Sequence, residues 1–149
     1  MITVGEADRL AAALLGDLRT RLGGLHIAHA RRVAAGVEGL GDETAVAAAL
    51  LHDVVEKTGV SIGDLLSVTG DRGVVELVDI LTHRPGESEH HYLSRCTSHP
   101  TALAIKRMDL IDKLEATDSA VGAVEAAAIR RTARQRLDLL GRLARPPAP

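Results

Sequence analysis

The chain has 149 residues, enough for one domain with its own core and too few to make two the expectation. Its 18 basic and 20 acidic residues are interspersed, for a formal net charge of -2, so no basic face is offered to nucleic acid, and no apolar run approaches the roughly 20 residues that span a bilayer. A lone cysteine, Cys96, excludes an internal disulfide, and with no basic region leading into a long apolar run at the N-terminus, a reducing cytoplasmic home is expected.

Hydrophobic residues make up 46% of the chain, yet there is no Phe or Trp and a single Tyr, so the core must be built from Leu, Val, Ile and Ala, which suits closely packed helices. Ala7, Leu10, Ala11, Leu14, Leu15 and Leu18 predict a first helix over 6–22, ended by Gly23 and Gly24. A second stripe through Ile27, Ala30, Val33, Ala34 and Val37 carries His26 and His29 and stops near Gly39 and Gly41. Asp42 or Thr44 caps a third helix that runs to Lys57, with Gly59 as its stop signal and His52-Asp53 in its last turns. Ser61 and Asp64 resemble a capping box and start a short helix to Val68. Residues 71–83 have strand propensity, but Val74, Leu77, Val78 and Leu81 form a helical stripe and decide for helix. His83 to Glu89 has turn chemistry and leads to a helix around 90–97. Pro100 opens a further helix through Asp109 and Leu114, and a last amphipathic helix spans 119–143. The domain is expected over 1–144, followed by a disordered Pro-rich tail, 145–149.

The His52-Asp53 pair ends an apolar run that begins at Ala45. Burying two ionisable groups there costs several kcal/mol unless a partner or a metal compensates. One reading is a hydrogen bond between the two inside the core. The other is a metal, because imidazole nitrogen and carboxylate oxygen suit a borderline to hard divalent ion. A dipeptide supplies half a shell, and His29 and Asp109, each within an otherwise apolar helix, are the best donors for the rest. His26 either faces the same cavity, as a substrate group or an extra ligand, or lies on the surface. His83, His90, His91 and His99 fall in or near loops and are expected in solvent, with His90 and His91 able to border the pocket. Arg130, Arg131, Arg134 and Arg136 are expected along a solvated helix face. Asp112 either assists Asp109 from three residues away or pairs with a neighbouring lysine.

Three segments in order carry a resemblance: His29-Ala30-Arg31-Arg32-Val33-Ala34, Leu51-His52-Asp53-Val54-Val55-Glu56 and Ile105-Lys106-Arg107-Met108-Asp109. They resemble the metal-binding motifs of the HD-domain phosphohydrolases, most closely the (p)ppGpp hydrolase branch of small stand-alone enzymes and hydrolase domains of bifunctional synthetase/hydrolases. Gly59 to Asp64 and Leu81-Thr82-His83-Arg84-Pro85-Gly86-Glu87-Ser88 also resemble that branch, so the likeness covers about residues 20–118. It implies an all-α HD-domain fold holding one divalent ion on His29, His52, Asp53 and Asp109. The implied ion is manganese, and the same ligands would accept iron or zinc. The implied reaction is metal-assisted hydrolysis of a nucleotide or related phosphate or pyrophosphate ester.

Glu56, four residues after His52 and three after Asp53, is the candidate general base or water-positioning group. Three departures from the branch stand beside it. Lys57 replaces an aspartate next to Glu56, Lys113 replaces the asparagine usual four residues after the last metal aspartate, and His26 and Ala30 replace the flanking tyrosine and proline. Lys57 is placed with Glu56 among the catalytic candidates, and His26, Arg84, Lys106 and Lys113 among the groups that hold substrate. The alternative function is a non-catalytic protein that binds metal and nucleotide in a regulatory role. The expected partner is a small-molecule nucleotide or phosphate ester, with no nucleic acid and no membrane, and the oligomeric state stays open.

Overall fold

Short polar side chains that satisfy main-chain N–H groups set most of the helix starts. The computed structural model describes residues 1–116 and 120–145. Thr3 and Glu6 form a reciprocal capping box that opens α1 (Val4–Leu15). Leu25 precedes α2 (His26–Val37), which runs into a 3-10 turn at Glu38–Leu40. Asp42 caps α3 (Glu43–Leu51), which α4 (Val54–Lys57) follows after a break. Ser61 and Asp64 form the second capping box, at α5 (Ile62–Thr69), and Asp71 caps α6 (Arg72–Leu81). Ser88 caps α7 (Glu89–Cys96), and His99 caps α8 (Pro100–Glu115), where Pro100 occupies the first turn and lacks only an N–H that has no helical partner there. The last helix is α9 (Ala123–Leu143). Among the described residues the nearest thing to a strand is one isolated bridge between Arg19 and Leu25, and no helix is long and apolar enough to cross a membrane.

Two boundaries differ from the sequence expectation. The first helix ends at Leu15 rather than near residue 22, because Gly16 takes φ 50° and returns its N–H to the Ala12 carbonyl. The chain beyond it is a turn, and Leu18, expected on the apolar stripe, is 42% exposed. The third helix does not continue to Lys57. His52 Nδ1 lies 2.6 Å from the Ala49 carbonyl oxygen, the acceptor that Asp53 N–H would use in an unbroken helix. Asp53 then sits at φ -103°, ψ -4°, and the helix restarts as the single turn α4. The expected start of the last helix at 119 and the tail from 146 onward lie outside the described residues.

α3 is the axis of the packing. Ala45 through Leu51 are all buried, and α1, α2, α6 and α8 surround the helix. Its alanines let those neighbours come close. α2 packs on both α3 and α8, and Gly36 marks how near α8 comes: a Cβ there would lie 2.5 Å from Met108 Cε. These contacts bring the three motif segments together, one from α2, one from the α3–α4 break and one from α8.

Candidate metal centre

His29 from α2, His52 and Asp53 from the helix break and Asp109 from α8 converge so that one ligand atom from each lies within 4.8 Å of the others. The break matters here. On a continuous helix adjacent side chains diverge by about 100°, whereas the turn at Asp53 aims both residues inward. His29, His52 and Asp109 are almost fully buried. His29 Nε2 is 2.9 Å from Asp109 Oδ1 and 3.8 Å from Asp53 Oδ2, and His52 Nε2 is 3.2 Å from Asp53 Oδ2 and 3.7 Å from Asp109 Oδ1. Even so, among the described residues His29 Nε2, His52 Nε2 and Asp109 Oδ1 form no aligned hydrogen bond. Three orphaned buried atoms facing one point, with a fourth oxygen beside them, are what a divalent ion would satisfy, and the two-imidazole, two-carboxylate donor set fits one.

The far ring nitrogens fix the tautomers. A carbonyl oxygen only accepts, so His52 Nδ1 carries the proton donated to Ala49. His29 Nδ1 lies 2.7 Å from Asp112 Oδ2, which leaves Nε2 of both rings facing the cluster. Burial opposes charge on His52, but Asp53 and Asp109 outweigh it and its pKa is pushed up to about 10. His29 is also raised, against burial, by Asp109 and Asp112. Burial alone would raise Asp53 and Asp109, yet both are held well below the usual carboxylate range, the first by His52 and His26 and the second by Lys106 and Lys113.

A cavity of about 400 Å³ opens from this cluster toward α9. Its polar wall includes His26, Glu56, Lys57, Lys106 and Lys113, and its far wall is Leu22, Ala116, Ile129 and Ala133. His26 belongs to the cavity rather than the surface: its Nε2 is 2.7 Å from Asp53 Oδ2. Glu56 is exposed on the lining, and its Oε1 accepts the His83 N–H. Lys57 is exposed beside it and, among the described residues, makes no ion pair with Asp53. Lys106 is buried, its Nζ 2.8 Å from Asp109 Oδ2 and 5.1 Å above the Tyr92 ring centre, and its pKa is raised because the Asp109 charge overcomes burial. Lys113 Nζ is 3.2 Å from Asp109 Oδ1.

Arg84 is not brought to the site. Its guanidinium lies 3.4 Å from Asp79 Oδ1, because Glu87 accepts the Arg84 N–H and is itself clamped by Arg95, which turns the Arg84 side chain back along α6. The four histidines expected in solvent, His83, His90, His91 and His99, are all exposed, and His83 also lines the cavity with its ring 4.8 Å from Tyr92. Arg136, expected on a solvated face, lines the cavity and pairs with Glu89, and Arg130 donates to the Ala116 carbonyl at 2.9 Å. Among the described residues Asp112 makes no ion pair with a neighbouring lysine; its partners are His29 and Arg32. Arg21, Arg32 and Tyr92 line the cavity unanticipated. Only Arg32 had a signal, its position one helical turn after His29.

No family model and no curated protein matches the chain. Among solved structures it is similar to a metazoan ortholog of SpoT that hydrolyzes ppGpp and plays a role in starvation responses, with a TM-score of 0.68 and 22% identity over 92% of this chain and 84% of that one. At that identity the likeness is one of fold.

Proposed function

We propose that this chain, which has the all-α fold of the HD type, is a metal-dependent phosphohydrolase acting on a nucleotide or a related phosphate or pyrophosphate ester. The observation that carries the reading is the convergence of His29, His52, Asp53 and Asp109, with three of their atoms orphaned, at one end of a cavity large enough for a nucleotide. These four residues would hold the ion, manganese in the first instance. An ion held there would supply Lewis-acid chemistry to a phosphoryl oxygen and to a water.

The chain's own groups supply the rest. Glu56, on the cavity wall and fixed through the His83 N–H, is placed to orient a water and take its proton. Lys57 and Lys113 offer ammonium groups to phosphate oxygens, and His26 steadies Asp53. Lys106 balances the buried charge of Asp109 and is a structural counter-ion before it is a substrate group. The apolar far wall suits the uncharged part of a nucleotide, and ppGpp, the substrate of the structural neighbour, is the first compound to test.

A regulatory protein without turnover is the second reading, favoured by Lys113 lying against Asp109 Oδ1, the atom that faces the would-be ion. The test is phosphate or pyrophosphate release from ppGpp, nucleoside mono- and triphosphates and dinucleotides with added Mn²⁺. Turnover of at least one compound, lost in Asp53→Ala, is expected. No turnover by the native chain, with activity appearing in Lys57→Asp, would replace hydrolysis with the second reading.

A further inference from the structure

We infer that Asp112, locked by Arg32, is a positioning residue for the metal centre that sets the tautomer and ring orientation of His29. The inference rests on the metal-binding reading of the four convergent residues. His29 and Arg32 are three residues apart on α2 and so lie on one face of that helix, opposite Asp112 on α8. His29 Nδ1 is 2.7 Å from Asp112 Oδ2. Arg32 Nε lies 2.7 Å from Asp112 Oδ1, and its Nη2 is 3.2 Å from Oδ2. The guanidinium therefore grips both carboxylate oxygens and fixes the carboxylate plane. A carboxylate held this way accepts the Nδ1 proton in one direction only, which turns the His29 Nε2 lone pair toward Asp53 and Asp109.

The arrangement is asymmetric in an informative way. His52 receives the same service from the main chain, through the Ala49 carbonyl, and no side-chain substitution removes it. His29 depends on a side chain from another helix, so its orientation is the one that a single substitution can release. Asp112 lies one turn beyond Asp109 on α8 and holds the far nitrogen of His29, so it ties together the two helices that carry these donors.

The test is Mn²⁺ affinity by competition against a fluorescent chelator, with each variant's fold checked by circular dichroism and melting. Asp112→Ala is expected to bind about 10- to 100-fold more weakly, the usual effect of removing such an outer partner. Asp112→Asn, which keeps an acceptor for the Nδ1 proton, is expected to recover part of that loss. Should Asp112→Ala not fold, Asp112→Asn and Arg32→Met carry the comparison. Nitrogen-15 spectra of the histidines without metal, recorded at a pH where His29 carries a single proton, supply a second readout: that proton is expected at Nδ1 in the native chain, with the preference weakened in the variants. Affinity in the folded variants equal to the native value would overturn this inference alone. A native protein with no measurable Mn²⁺ affinity would overturn it together with the proposed function.

Discussion

Asp109 Oδ1 is a contested atom. It faces the point where His29, His52 and Asp53 converge, yet Lys113 Nζ stands 3.2 Å away and Lys106 Nζ 2.8 Å from the other oxygen of the same carboxylate. The two lysines differ in consequence. Lys106 is buried against Tyr92, and removing it would leave a buried carboxylate short of counter-charge. Lys113 is about one-third exposed and would compete with an ion for Oδ1, so Lys113→Met is expected to tighten Mn²⁺ binding roughly two- to fivefold, the size of a partly solvated ion pair. Weaker binding, read in the same chelator competition, would make Lys113 a support of the site instead. At this scale the four residues that converge were readable in sequence, because ionisable residues in apolar helices need a reason to be there. The partners of those residues were not. Asp112 meets Arg32 across 80 positions, and although each stands one helical turn after a motif residue, that spacing does not say that the two side chains meet.

Among the elements, the break between α3 and α4 has the largest effect on the site. An apolar stripe cannot report it, because the competitor for the Ala49 carbonyl is a side chain whose rotamer depends on the fold. The early end of α1 had a signal in Gly16, but the continuing leucines masked it. Capping residues were the most legible feature: Asp42, Ser61 and Pro100 all act where their chemistry places them.

The segment between α6 and α7 is held by Arg95, which donates to the carbonyls of Asp79, Ile80 and Thr82 and to Glu87. Arg95 in turn lowers the pKa of Glu87 from 4.5 to about 2. A carboxyl depressed in the folded state stabilises the fold above its unfolded value, and that contribution is lost as pH falls from about 4.5 toward about 2. Glu87→Gln is therefore expected to lower the urea midpoint at neutral pH and to flatten its fall over that acid range. Parallel acid profiles for the two proteins would show that the clamp does not hold the segment.

For the molecule as a whole, a core almost free of aromatic residues is wrapped around one alanine-rich helix, and the close packing that this allows is what brings α2, the α3–α4 break and α8 to a common point. The order of the three motifs was visible in the chain. The cavity's far wall was not, since Leu22, Ala116, Ile129 and Ala133 come from segments whose pairing only the fold determines. At that point His29, His52, Asp53 and Asp109 are proposed to form a site for one divalent ion. An ion must displace the protons that the carboxylates favour on His29 and His52. Both pKa values are raised, so proton competition is strongest at low pH and relaxes as pH rises toward about 10. The direct measurement is Mn²⁺ titration of the native chain and of Asp53→Ala by calorimetry at several pH values. One ion per chain, bound more tightly as pH rises and lost in Asp53→Ala, is the predicted result. No binding, or binding indifferent to both pH and Asp53, would contradict it.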